Sequence, residues 1–237
     1  MNKYLVGTCA FNEGEKILRV LEGFCDYSLY DVIAVNDGSH DGSFHSVKSH
    51  QHLTTIHNET NRGAGYCVRQ IIKYAKENGY TAVFFVSGNN KDVPGDLQKL
   101  KEGLEEGFDV VQGSRYLPSG VAGGDMPLYR RIATRIHPFL FSLLCRRRIT
   151  DSTNGFRALR LSLLEDKRIN IDQPWLDRYE MEPYLFYKAV TLGYRIKEVP
   201  VSKIYPPRCE GQTKMAPVSG WWSILRPLFL LGLGFRK

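Results

Sequence analysis

Short apolar runs alternate with polar turns along the chain. Tyr4-Leu5-Val6-Gly7-Thr8-Cys9-Ala10 reads as a strand, and Ile17, Leu18, Val20, Leu21 and Phe24 recur at the helical period behind it. Asp31-Val32-Ile33-Ala34-Val35 predicts a second strand and Thr54-Thr55-Ile56-His57 a short third, followed by a helix carrying Val68, Ile71, Ile72 and Ala75. Ala82-Val83-Phe84-Phe85-Val86 predicts a buried fourth strand that stops abruptly in Ser87-Gly88-Asn89-Asn90-Lys91-Asp92. Leu97, Leu100 and Leu104 stripe the next helix, with Pro94 near its start where a missing N–H is harmless, and residues 108–113 form a fifth strand. Strands alternating with helices over short loops predict an α/β fold, a mostly parallel sheet with helices on both faces. Ligands of such sheets gather beyond the carboxyl ends of the strands, so residues 87–92 are expected to floor a site.

The second half is less regular. Residues 118–127, rich in Gly and Pro, predict a mobile surface loop. Residues 128–145 predict a helix, basic at first and apolar later, with Pro138 as a candidate kink. Residues 149–157 read as a polar turn rejoining the sheet, residues 180–192 as a helix, and residues 194–201 as a late strand at an edge, because Pro200 has no ladder donor. The apolar stretch 221–232 is broken by Arg226 and Pro227; a bilayer span needs about 20 apolar residues, so it fits the membrane interface and not a crossing. The expected organisation is one domain, 1–217, and an apolar C-terminal segment, 218–237.

At 237 residues, 43% apolar and 24% charged, the chain can bury one sizeable core and is neither a disordered nor a multi-span composition. A net charge of +7 suits nucleic acid, anionic membrane or phosphorylated ligands, so its distribution decides. Arg130, Arg131, Arg135 and Arg146-Arg147-Arg148 bracket an apolar segment, which reads either as a membrane-surface helix or as a core helix with charged ends. Trp221-Trp222 and Arg236-Lys237 favour the membrane, and the aromatic-interleaved basic pattern of a nucleic-acid surface is absent. The five scattered cysteines show no metal-ligand spacing and read as reduced thiols, and the N-terminus lacks a signal-peptide core; a cytoplasmic location, peripheral on the inner membrane face, is expected.

Four strand ends carry polar loops: Ala10-Phe11-Asn12-Glu13, Asn36-Asp37-Gly38-Ser39, Asn61-Arg62-Gly63-Ala64-Gly65 and the loop at 87–92. Asp37 can accept hydrogen bonds from a base or ribose, and glycines let the backbone approach a nucleotide. In this order and spacing the loops resemble those of the nucleotide-sugar-dependent glycosyltransferases of family 2, over about residues 4–214. Phe11-Asn12-Glu13 matches that family's Tyr-Asn-Glu, Asn36-Asp37-Gly38-Ser39 its Asp-Asp-Gly-Ser, and Asn61 to Gly65 its Asn-Xaa-Gly-Xaa-Gly. Within the family the chain most resembles dolichyl-phosphate mannose synthases and bacterial polyprenyl-phosphate sugar transferases. Gly113-Ser114-Arg115-Tyr116, Arg130 with Thr134, the stretch 151–157 ending Gly-Phe-Arg, and Arg208-Cys209-Glu210-Gly211-Gln212-Thr213-Lys214 carry that likeness.

The resemblance implies a glycosyltransferase A type fold, Rossmann-like, and inverting transfer of a sugar from a nucleotide-sugar to a polyprenyl phosphate. It implies donor binding by Ala10, Phe11, Asn12, Glu13, Asn36, Asp37, Arg62, Gly63, Ser87, Gly88 and Asn89, and acceptor-phosphate binding by Arg115, Arg130 and Thr134. Lys91, Asp92, Asp151, Arg208 and Lys214 are the candidate catalytic residues, Asp151 serving as base should the acceptor be a hydroxyl. Two other readings stay open: a soluble transferase acting on a saccharide or other hydroxyl, and a nucleotide-sugar-binding protein without turnover.

One departure stands out. The family's fourth strand ends in Asp-Xaa-Asp, often with Gln two residues on, which hold a divalent metal against the donor diphosphate; Ser87, Asn89 and Lys91 stand there instead. Neutral Ser and Asn are poor ligands for Mg²⁺ or Mn²⁺. Either Lys91 supplies the charge with Arg208 and Lys214, or Asp92, with Asn89 and the nucleotide, still holds a metal.

Overall fold

The computed structural model describes residues 3–24, 29–207 and 219–236. The strands β1 (Tyr4–Ala10), β2 (Asp31–Asn36), β3 (Leu53–His57) and β4 (Ala82–Ser87) lie parallel, with β1 between β2 and β4 and β3 outside β2. Their register brings Ala10 opposite Asn36, Asn36 opposite His57 and Cys9 opposite Ser87, so the strands end level. The polar loops that follow therefore converge on one edge.

Successive side chains of a strand point to opposite faces, and the two cores sort accordingly. Val6, Val32 and Phe84 meet α1 (Glu15–Phe24) and α3 (Leu97–Glu105) through Ile17, Val20, Leu21, Leu100 and Leu104. Leu5, Ile33 and Val83 meet α2 (Ala64–Glu77) and α5 (Met181–Thr191) through Ile71, Ile72, Tyr184 and Phe186. The remaining strands of the sheet are β5 (Val110–Ser114), β7 (Arg157–Arg160) and β8 (Ile196–Pro200). β8 is an edge strand, as Pro200 required.

Two features depart from the expectations. The polar turn at 149–157 runs into β7, which inserts antiparallel between β4 and β5. With Arg at both ends and only four residues, β7 carries no periodicity of its own; pairing on both flanks makes it a strand. The presumed loop at 118–127 contains β6 (Val121–Gly124), which pairs in parallel with β9 (Ser202–Tyr205) in a second, two-stranded sheet. Its glycines weaken strand propensity but admit the partner closely: a Cβ on Gly124, at φ +72°, would collide with the Tyr205 carbonyl.

The long helix α4 (Leu128–Cys145) runs on through Pro138, and its Phe141 stacks on Phe186 with ring centroids 5.1 Å apart. The C-terminal helix α6 (Ser219–Gly232) is joined to the same core. Leu228 and Leu231 are buried, and Arg226 pairs with the buried Glu180 at 2.6 Å, where the Ser223 hydroxyl also donates. No helix among the described residues is long and apolar enough to cross a membrane.

Candidate active site

The level strand ends enclose a cavity of about 900 Å³. Eight cationic side chains and five carboxylates line it among the described residues, so it is matched to an anion.

One half is built from the loops after β1, β2 and β3. Asp37, buried at the end of β2, accepts from Asn58 Nδ2 and Asn61 Nδ2, both at 3.0 Å, from the Arg62 N–H at 2.9 Å and from the Gly63 N–H at 2.8 Å. Its carboxylate thereby fixes the loop that opens α2. Gly63 sits there at φ +105°, with no room for a Cβ against the Asp177 carbonyl. The β1 loop is tied to the β2 loop by Asn12 N–H to Ser39 Oγ at 2.9 Å, His40 N–H to Asn12 Oδ1 at 2.7 Å and Gly14 N–H to Asp41 Oδ2 at 2.8 Å. Asn12 takes a left-handed conformation, φ 51°, which an Asn side chain tolerates. Ala10, Phe11, Asn12, Glu13, Asp37 and Gly63 all line the cavity.

Asn36 and Arg62 do not. Asn36 Oδ1 accepts the Ser39 N–H at 2.8 Å and its amide meets His57 Nδ1, so it shapes the turn; Arg62 is exposed and lies over the Tyr66 ring, 4.3 Å from its centroid.

The other half is organised by charge. Ser87, Gly88, Asn89 and Lys91 line the cavity beyond β4, and Gly88 is packed so closely on β1 that a Cβ would strike the Cys9 carbonyl. Asp92 turns the other way. Its Oδ1 accepts from Lys203 Nζ at 2.5 Å and its Oδ2 from the Ser87 N–H at 2.9 Å. Lys203 also reaches Asn154 Oδ1 at 3.1 Å and Ser87 Oγ at 3.3 Å. Lys91 is 3% exposed, with Nζ 5.1 Å from the Tyr205 ring centroid. Burial, then Arg130 and Lys203, push the Lys91 ammonium down to about 7.

Asp151, the candidate base, is fully buried and not on the wall. Its oxygens take Arg115 Nε at 2.7 Å, Arg115 Nη2 at 2.8 Å and the N–H groups of Arg115 and Thr153. Burial alone would raise the Asp151 carboxyl; the guanidinium outweighs it and holds the carboxyl below the usual range. Arg115 reaches the wall with its charge already matched, its Nη1 donating to Tyr205 Oη at 3.2 Å. From α4, Arg130 and Thr134 complete the wall: Arg130 sits over the Tyr205 ring at 5.8 Å, and Thr134 Oγ1 meets Tyr116 Oη at 2.6 Å. Arg208 and Lys214 lie outside the described residues.

The model of glycosyl transferase family 2 matches residues 5–167. The chain belongs to glycosyl transferase family 2. It is 24% identical over 190 residues to polyprenol monophosphomannose synthase of Mycolicibacterium smegmatis, covering 78% of this chain and 70% of that protein. It is 25% identical over 213 residues to the UDP-N-acetylglucosamine–dolichyl-phosphate N-acetylglucosaminyltransferase of Methanococcus voltae, covering 83% of each. Glucosyl-3-phosphoglycerate synthase of Mycobacterium tuberculosis, solved with Mn²⁺, UDP and phosphoglyceric acid, superimposes with a TM-score of 0.69 at 16% identity, covering 100% of this chain and 80% of that one. The architecture is the glycosyltransferase A type, and the protein is a glycosyltransferase.

The divalent metal this family implies is poorly served here. Hard cations need carboxylate oxygens with open lone pairs. The carboxylate nearest the end of β4 in sequence, Asp92, spends one oxygen on Lys203 and the other on a backbone N–H. Asn89 offers one neutral oxygen, buried without a hydrogen-bond partner. No group of three or more His, Cys, Asp or Glu suited to a metal exists among the described residues. The residues at this position do not fit the ion.

Sequence reasoning passed over Lys203, Tyr205 and Glu182, and gave Arg157, quoted within the 151–157 motif, no role; all four are on the cavity wall. The residue order of β9 gave no signal for this: in Ser202-Lys203-Ile204-Tyr205 the Lys and Tyr are buried while Ile204 is exposed, the inverse of an ordinary half-buried strand.

Proposed function

We propose that this glycosyltransferase moves a sugar from a nucleotide-sugar to the phosphate of a polyprenyl-phosphate lipid at the cytoplasmic membrane face, with inversion at the anomeric carbon. The observation that carries the reading is the double character of α4. The helix that lends Arg130 and Thr134 to the cavity wall exposes Leu128, Ile132, Ile136, Phe139 and Leu143 at spacings of four, four, three and four, along one face. Exposed Arg131, Arg135, Arg146, Arg147 and Arg148 accompany that stripe, and α6 adds exposed Trp222 and Phe229. Apolar residues with basic neighbours suit the interface of an anionic bilayer. A lipid held there is suited to present its phosphate to Arg130. The printed acceptors of the Mycolicibacterium and Methanococcus relatives support the same class.

The donor falls to Ala10, Phe11, Asn12, Glu13, Asp37, Gly63, Ser87, Gly88 and Asn89. A phosphate acceptor is ionised near neutral pH and attacks without a strong base, so the site's work is positioning and charge compensation. Asp151, closed off by Arg115, is not required; Arg115 is a framing residue whose guanidinium orders the turn.

The test is a screen of nucleotide-sugars against polyprenyl phosphate in phosphatidylglycerol-containing vesicles, read by mass spectrometry of the lipid, with vesicle flotation alongside. The expected result is one glycosyl-lipid product, and flotation lost on the double change Phe139→Ser, Leu143→Ser. Transfer to a soluble saccharide with no lipid product from any donor sinks the proposal.

A further inference from the structure

The lysine pair at the end of β4 goes beyond the acceptor question. Lys203 Nζ has three oxygen neighbours drawn from two segments, the 87–92 loop and the 149–157 turn: Asp92 Oδ1 at 2.5 Å, Asn154 Oδ1 at 3.1 Å and Ser87 Oγ at 3.3 Å. An ammonium surrounded by a carboxylate, an amide oxygen and a hydroxyl is held as a bound cation would be held. It is covalently part of β9 and cannot dissociate. The backbone reinforces the arrangement, since Asp92 and Lys203 form an antiparallel bridge and the Ile204 N–H donates to the Lys91 carbonyl at 2.8 Å. Lys203 is itself buried, yet it lines the cavity together with Lys91.

We propose that Lys203 and Lys91 divide the work of the family's divalent cation: Lys203 occupies the coordinating position that ties β4 to β9, and Lys91 presents positive charge to the donor's diphosphate. The electrostatics close in this division. Asp92 neutralises Lys203, as ligand carboxylates neutralise a metal, and Lys91 lines the cavity, with Arg130 over the same Tyr205 ring. A preorganised cation aimed at a leaving diphosphate stabilises the charge that develops there and needs no metal exchange. The inference rests on the nucleotide-sugar reading of the cavity.

Titration calorimetry of the full chain with ADP, CDP, GDP and UDP, in excess EDTA and again in Mg²⁺ or Mn²⁺, tests it. At least one nucleoside diphosphate is expected to bind equally well in both. Lys91→Met is expected to weaken that binding about 10- to 100-fold, with no recovery on adding metal. Lys203→Met leaves Asp92, Ser87 and Asn154 around an open position, so this variant is expected to gain thermal stability from Mn²⁺ alone, which the unaltered chain does not. Should Lys203→Met fail to fold, the EDTA comparison and Lys91→Met still decide. Binding that vanishes in EDTA and returns with Mn²⁺ overturns the lysine proposal and leaves the nucleotide-sugar reading standing. Unchanged affinity in Lys91→Met overturns it as well, and a folded Lys203→Met indifferent to Mn²⁺ removes the role given to Lys203. Absence of binding by all four nucleotides in both conditions overturns both readings.

Discussion

The two halves of the crevice hold their carboxylates in opposite ways. On the β2 side Asp37 is caged by amide donors that all follow within 26 residues. On the β4 and β5 side, Asp151 meets Arg115 at a separation of 36 residues and Asp92 meets Lys203 at 111. Dispersed N–H donors hold an anion without cancelling its charge, whereas an ion pair does cancel it and makes the pair a strut. The first arrangement leaves a wall that can still address a ligand. The second makes frame, while Lys91 and Arg130 line the cavity beside it.

The contrast breaks most visibly at Asp151. Asp151→Asn strands a buried guanidinium and is expected to lower stability by about 3–5 kcal/mol in urea unfolding. The pH dependence has a fixed sign: with the Asp151 carboxyl held below its usual range, this stabilisation is complete above the ordinary carboxylate pKa and fades as pH falls below it. The Asn variant lacks that acid-side loss. Equal stability of variant and parent would show that the pair is no strut and return Asp151 to consideration as a base.

A smaller effect belongs to Asp37. Asp37→Ala leaves four donors without their acceptor and is expected to lower stability by about 2–3 kcal/mol. Asp37→Asn, which keeps an acceptor oxygen, recovers part of it in the same measurement. No recovery would mean that charge, and not hydrogen bonding, holds the loop, erasing the distinction between the halves.

The gentlest probe is pH. Lys91 stands at about 7, facing Arg130 on α4, Lys203 and Tyr205 on β9, Glu13 in the turn after β1 and Lys16 on α1. A bound diphosphate favours its protonated form, so affinity is expected to be highest below pH 7 and to fall above it, by up to about tenfold per pH unit. Lys91→Met flattens this alkaline limb. Calorimetry between neutral and alkaline pH reads both slopes, and an alkaline limb that persists in the variant assigns the titration elsewhere.

Much of this was legible in the residues. Ile17 to Phe24, Val68 to Ala75 and the run Ala82 to Val86 carry periods strong enough to place their elements, and the turns Asn36-Asp37-Gly38-Ser39 and Asn61 to Gly65 place the cavity's polar loops and the family. Asp92 and Asp151 were misjudged in their surroundings for one reason: their partners lie on β9 and β5, and local spacing says nothing of a pairing made across the sheet. β6 and β7 were missed likewise, being strands by virtue of their neighbours.

By itself, then, the sequence determined where chain-local chemistry suffices: the parallel units, the polar loops at their ends, and a fourth strand that ends without the expected carboxylate pair. Only the tertiary structure decided what surrounds that strand end. It brought Lys203 and Tyr205 from β9 under the end of β4, closed Asp92 against one lysine and left another beside the cavity. The physical reason is that a buried charge must be matched within a few ångströms, and which side chain matches it is a property of the packed sheet, not of the run of residues around it.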